Sequence, residues 1–262
     1  MVMMKPLVSL CLAAVLGGCL GEVDGDVGLS ENQDALTSTN RLSSNRLSSN
    51  RLSSNRLSSN RLSSNSLEVQ GLASTDSGRE VLSYIVGCAL PIGQNLTIDV
   101  QGVTYTYPGW IGLAPAWATR IPTVTERRWV TSCLLSRTNV NGVPVNISMR
   151  SDSNLALLTS AAERTLYTQA EGSFYGDLFA PVLVTYACSN RDWTLLSGTF
   201  RACALSPNGI TTDCGFTYTG SCDSATCTDK TAPFGGCKGG STTYAEVITI
   251  FLTPTQQAGA EQ

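Results

Sequence analysis

Val247-Ile248-Thr249-Ile250-Phe251-Leu252, introduced by Glu246, is the stretch on which the fold class turns. Its β-branched and aromatic residues favour a strand, and the lack of clean polar alternation points to one buried on both faces; a short buried helix is the competing reading of so short an apolar run. Upstream, Leu82, Ile85, Val86 and Ala89 recur at helical spacing until Pro91 stops the segment. A second helix is expected over Val124 to Arg137, with Glu126 in the first turn, where the helix dipole favours an acid. On that helix Trp129, Val130, Cys133, Leu134 and Arg137 fall on one face. Leu96, Ile98, Val100 and Val103, Tyr105, Tyr107 alternate around Gln101-Gly102, which reads as a tight hairpin or one bulged strand. Asn141-Gly142 marks a turn into Val143 to Met149, with Pro144 near a sheet edge, and Val182 to Tyr186 reads as a further strand. A sheet carrying at least two helices on one side fits this order. The expected class is α+β: a disulfide-stapled single domain with an antiparallel sheet and at least two packed helices, preceded by a disordered repeat tether.

Cysteine usage bounds the compartment. Of ten cysteines, Cys11 and Cys19 lie near the N-terminus and eight remain: Cys88, Cys133, Cys188, Cys203, Cys214, Cys222, Cys227 and Cys237. An even number in an exported chain suggests four disulfides. Zinc is the competing use, since Cys222-x4-Cys227 and the Cys203 to Cys237 cluster bring thiols together. No Cys-x2-Cys knuckle and no histidine assists such a site, so no metal and no cofactor is expected. Six of the eight fall between Cys188 and Cys237, among the turn-rich stretches Ser206-Pro207-Asn208-Gly209 and Phe234 to Gly240. Cross-links restrict the unfolded chain of such glycine-rich loops, typically by about 2–4 kcal/mol each. Cys88 and Cys133 each sit among apolar positions of an expected helix, far from that cluster, and are expected to be bonded to each other.

The N-terminal end reads as an export signal. Lys5 precedes an apolar run from Leu7 to Leu16, then Gly17, Gly18 and Cys19. Leu16-Gly17-Gly18-Cys19 resembles the bacterial lipoprotein lipobox, which implies cleavage before Cys19 and lipidation of that cysteine. Leu20 and Gly21 rather than Asp after it imply, by the same resemblance, the outer membrane, with the chain lipid-anchored and periplasmic or surface-exposed. An ordinary signal peptide with a chance cysteine is the alternative; either reading places the chain outside the cytoplasm. The layout is then residues 1–18 as signal, 19–70 as a flexible tether and 71–262 as the extracytoplasmic domain.

Within the tether, five perfect copies of Asn-Arg-Leu-Ser-Ser occupy residues 40–64, after a segment that holds Glu22, Asp24, Asp26, Glu31 and Asp34. A step of five turns successive leucines by about 140° on a helix and alternates them between faces of a strand, so neither structure collects an apolar face. The tract partly resembles pentapeptide-repeat solenoids, with Leu42, Leu47, Leu52, Leu57 and Leu62 at the central position. Solenoid units need stacked neighbours to bury their faces, and so few units favour a disordered spacer. Its spaced arginines suit weak contact with anionic headgroups or polysaccharide, or simply add charge.

From Ser77 onward the chain resembles a family of secreted and lipoprotein-type proteins of myxobacteria. The phrases that carry the likeness are Val81-Leu82-Ser83-Tyr84-Ile85-Val86-Gly87-Cys88-Ala89-Leu90, Glu126-Arg127-Arg128-Trp129-Val130-Thr131-Ser132-Cys133-Leu134-Leu135 and Glu171-Gly172-Ser173-Phe174-Tyr175-Gly176. Leu-Ser-Ser-Asn tracts often precede the domain in that family. The resemblance implies a compartment and a domain boundary; it carries no chemistry.

The absence of histidine removes the triad, His-Glu-x-x-His and histidine-ligated metal chemistries. Gly172-Ser173-Phe174-Tyr175-Gly176 is no nucleophile elbow, because its serine comes one place early. Paired carboxylates remain, drawn from Glu126, Glu163, Glu171 and Asp177, as a glycoside hydrolase would need. Trp110 and Trp117 bracket an apolar, loop-like stretch and are the candidate binding residues for a sugar or a protein; their alternative is a place in the core. Acidic residues outnumber basic ones beyond Gly71 and no basic patch interleaves with aromatics, so nucleic acid is not an expected partner. The expectation is a lipid-anchored cell-envelope protein with a structural or adhesive, non-enzymatic role and no catalytic residues. A polysaccharide- or protein-binding module and a carboxylate-dependent glycoside hydrolase are its alternatives, and the expected partners are the membrane, through the lipidated N-terminus, and an envelope polysaccharide or surface protein. Mass spectrometry of the purified N-terminus should find a chain that begins at acylated Cys19; an unmodified chain starting elsewhere contradicts the anchor.

Overall fold

The computed structural model describes residues 37–39, 57–138, 146–190, 215–223 and 225–255. The leader with Cys19, the first three repeat copies, the Asn141-Gly142 turn, Cys203 and Cys214 lie outside the described residues. Strands are β1 (Thr37–Thr39), β2 (Asn95–Val100), β3 (Val103–Pro108), β4 (Asn146–Arg150), β5 (Gln169–Asp177), β6 (Val184–Ser189), β7 (Thr217–Ser221), β8 (Cys237–Gly239), β9 (Thr242–Tyr244) and β10 (Ile248–Leu252). The α-helices are α1 (Leu67–Ala73), α2 (Asp76–Ala89), α3 (Val124–Ser136) and α4 (Ala161–Leu166).

The apolar run near the C-terminus is the inner strand of the main sheet. All five residues of β10 are buried, and it pairs antiparallel with β4 on one side and β5 on the other. The full order is β1-β4-β10-β5-β6-β7. Every pairing is antiparallel except β6 with β7, so the sheet is mixed at that edge rather than wholly antiparallel. Alternating side chains divide two layers. Phe174, Ala187, Ile248 and Ile250 face the helical core, whereas Tyr175 and Cys188 join Tyr244, Val247, Phe234 and the other cystines in a second cluster. Two polar side chains buried on these central strands satisfy each other: Ser173 and Thr249 share a hydrogen bond of 2.8 Å, and Thr249 Oγ1 also accepts from the Phe234 N–H.

β5 contains the Gly172 to Gly176 phrase and needs both glycines for pairing. A Cβ at Gly172 would stand 2.6 Å from the Cys188 carbonyl oxygen, and one at Gly176 would stand 2.2 Å from that of Val184. Both glycines let β6 approach. The β2–β3 hairpin turns through Gln101 and Gly102, whose φ values of 52° and 83° are the two left-handed residues of a type I′ turn.

α3 opens on a capping box. Thr123 accepts from the Glu126 N–H while the Glu126 carboxylate accepts from the Thr123 N–H. Its apolar side, with Val130, Cys133 and Leu134 fully buried, lies over β5 and β10. α2 packs on α3, and the Cys88–Cys133 disulfide joins them with Cα atoms 6.1 Å apart across 45 residues of sequence. A loop of that size gives a cross-link worth about 3–4 kcal/mol by chain entropy.

Packing starts ahead of the compositional change at Gly71. Leu57 is fully buried and Leu62 is 2% exposed, both within the main core, and α1 then leads onto α2. The last two repeat leucines are therefore domain, whereas the expected layout gave residues 19–70 to the tether. The reason is a partner that the repeat lacks within itself: Trp117 accepts from the Leu62 N–H at 2.9 Å through its carbonyl and donates its indole N–H to the Asn60 carbonyl at 3.0 Å. Urea denaturation of Leu62→Ala should show a loss of about 2–5 kcal/mol, the range for emptying a buried leucine site; an unchanged midpoint would place the repeat outside the cooperative fold.

Candidate functional site

The last turn of α2 builds the site. Its terminal carbonyls have no partner inside the helix. The chain after β3 supplies them: Trp110 N–H donates to Leu90, Ile111 to Gly87, Leu113 to Cys88 and Ala114 to Ala89, at 2.7–3.0 Å. This backbone clamp holds Trp110 beside α2. Glu80, Ser83, Tyr84 and Gly87 recur at spacings of three and four, so they form one stripe of that helix. The stripe, Pro108, Trp110 and Arg137 line an open cavity of about 470 Å³.

Arg137 follows α3 as its C-cap and is only 4% exposed. Among the described residues it has no carboxylate partner. Nη1 donates a long hydrogen bond to the Cys88 sulfur at 3.9 Å, and Nε has no partner among the described residues. Two rings flank the guanidinium: the Tyr84 centroid lies 4.4 Å from Cζ and that of Trp110 lies 5.8 Å away. Burial pushes its pKa down to about 10, against a pull from Tyr84, so it stays a cation at neutral pH. Such a charge costs several kcal/mol to bury when unpaired. Ring faces return about 0.5–2 kcal/mol of this. The deficit favours an anion entering from the cavity. A guanidinium offers a carboxylate two parallel N–H donors, and the neighbouring rings offer apolar faces beside it.

Trp110 is half-buried and lines the cavity. Trp117 does not line this cavity: it takes its alternative place in the core, fully buried and edge-on to Phe179 at 5.4 Å, with its indole N–H donated to the Asn60 carbonyl. Glu126 caps α3 and pairs with Arg120 at 2.7 Å; against burial, which raises it, the bonds from Arg120 and Thr123 hold its carboxyl below the ordinary value. Asp177 accepts from the Phe179 N–H and pairs with Arg127 at 3.3 Å. Glu171 and Asp177 are six residues apart along β5, about 20 Å of extended chain; a carboxylate pair acting on one glycosidic bond is held within about 5–10 Å. Glu163 is buried on α4, where burial raises its pKa against the pull of Ser148, Arg150 and Arg164.

Six of the expected disulfide cysteines are bonded as Cys88–Cys133, Cys188–Cys222 and Cys227–Cys237. The last two lie side by side, with the Cys188 and Cys227 sulfurs 3.8 Å apart. The sulfurs of Cys188, Cys227 and Cys237 all fall within 4.8 Å of one another, a spacing that suits a metal; a metal binds thiolates, and here all three sulfurs are held in disulfides. Among the described residues, no helix is long and apolar enough to cross a membrane.

Arg137 and Tyr84 were missed as site residues. The signal was present: a lone arginine on the apolar face of the second expected helix. Comparison with family models, with curated proteins and with solved structures finds no match, so the assignment rests on this geometry. Replacing a buried cation that has no carboxylate partner among the described residues with an apolar side chain of similar length removes its desolvation cost. Arg137→Met should unfold at equal or higher urea concentration, with a gain of up to about 4 kcal/mol; a loss of several kcal/mol would mean that the cation already has its partner within the fold.

Proposed function

We propose that this chain is a lipid-anchored cell-envelope protein with an adhesive, non-enzymatic role, and that it adheres by holding acidic polysaccharide in the Arg137 cavity. The observation that carries the reading is the buried guanidinium that has no carboxylate partner among the described residues, flanked by Tyr84 and Trp110 at the wall of an open cavity. A uronic-acid residue fits this chemistry. Its carboxylate takes the two parallel donors of Arg137. The apolar face of its ring lies on an aromatic ring. Its hydroxyls would reach Ser83 in the same lining. The cavity volume falls within the range of small-molecule sites. One such site binds weakly, and adhesion follows from many copies meeting a repeating polymer. Acylated Cys19 would hold the domain to the membrane, and the residues after it space the domain from that surface.

Calorimetric titration of the full mature chain with oligogalacturonate, and with a neutral oligomannose of equal length, tests this. Binding should be confined to the acidic oligomer and fall at least about tenfold in Arg137→Met, the loss of a charge-assisted contact. It should hold from about pH 5, above the uronate carboxyl, and weaken as pH rises toward 10, where Arg137 loses its proton. Equal binding of the neutral oligomer, or full binding by Arg137→Met, would overturn the assignment.

A further inference from the structure

The repeat is the sequence feature that the Arg137 cavity leaves unused. The structure shows what two of its leucines do. Leu57 and Leu62 enter the core, and between them the chain makes a 3-10 turn at Leu57–Ser59. Trp117 clasps this segment from both sides through its carbonyl to Leu62 and its indole to Asn60. Both clasping bonds go to the segment's backbone. What the groove reads is therefore two leucines five apart, with a backbone carbonyl and a backbone N–H between and beside them. The segment held is Leu-Ser-Ser-Asn-Arg-Leu, residues 57–62, and the identical hexapeptide occurs at 42–47, 47–52 and 52–57.

We propose that the Trp117 groove is a receptor for this hexapeptide, and that it takes the hexapeptide from a second copy of the chain as well as from its own. Identical sequences make identical contacts, so exchange between two molecules costs no burial and no hydrogen bond. Its own segment is favoured only by effective concentration, because Ser63 to Ser66 alone join Leu62 to α1. Reciprocal exchange fills both grooves, which is the low-cost route to a symmetric dimer. Crowding on an anchored surface raises the concentration of the second copy until it competes. The three further hexapeptides let exchange occur at several linker lengths, in steps of five residues. The partner is thus another copy of this chain, and the adhesion so produced is between copies. This inference is independent of the Arg137 cavity and stands or falls separately.

The test uses the full mature chain carrying Leu42→Ser, Leu47→Ser, Leu52→Ser, Leu57→Ser and Leu62→Ser, which removes every copy of the hexapeptide and so empties the groove, and two fluorescent synthetic peptides. One is residues 40–64; the other has its five leucines replaced by serine. The native peptide should bind the emptied chain at least about tenfold more tightly than the serine peptide does, and more tightly than it binds wild type, whose groove is filled at high effective concentration. Equal binding of the two peptides to a folded emptied chain overturns the proposal. If the emptied chain does not fold, sedimentation of wild type decides instead. A reversible dimer that grows with concentration and is dispersed by the native peptide alone supports exchange. A monomer at all concentrations, or a dimer indifferent to both peptides, rejects it.

Discussion

The carbonyls of Gly87, Cys88, Ala89 and Leu90, at the end of α2, must find donors outside their helix, and the chain from Trp110 to Ala114 provides all four. That clamp decides the rest of the helical layer. It fixes Trp110 on the outside of α2, where the cavity opens. It sends Trp117 inward to Phe179 and to the last repeat copy. The Cys88–Cys133 bond lies in the same turn and holds α3 there, so that Arg137, at the end of α3, comes to rest against Tyr84. One set of backbone bonds thus separates two tryptophans seven residues apart into a wall of the site and a pillar of the core.

Arg137 is costly in this setting. A side chain that is 4% exposed and carries a full charge weakens the fold unless something neutralises it. The rest of the layer tolerates it because a disulfide and a two-sided sheet hold the domain independently. The opposite face of that sheet is braced by the adjacent Cys188–Cys222 and Cys227–Cys237 bonds and by the stacked Tyr175 and Tyr186. Among the described residues this cation has no carboxylate partner, and the ligand proposed for the cavity would bring the missing charge.

Much of the fold was legible in the sequence, for physical reasons that differ by element. α2 and α3 show their apolar periodicity, and Thr123 with Glu126 spells the capping box. β10 is apolar throughout because both of its faces are covered. Cys88 and Cys133 stood out from the late cluster because each lay on an apolar helical position. β5 was hidden, since its glycines answer to the approach of β6 rather than to strand propensity. The role of Leu57 and Leu62 was hidden too. Periodicity asks whether a repeat can build its own face, and this repeat is instead completed by Trp117, more than fifty residues away in sequence. The site was half legible: Trp110 by its place in an apolar loop, Arg137 only as a charge out of place on an apolar helix face.

If Arg137 awaits a carboxylate, a crystal structure of the full mature chain soaked with galacturonate will show the sugar carboxylate paired in parallel with the Arg137 guanidinium at about 2.7–2.9 Å, with the ring against Trp110 or Tyr84. A cavity without sugar at saturating galacturonate, or a carboxylate bound elsewhere with Arg137 unmoved and unpaired, would contradict it.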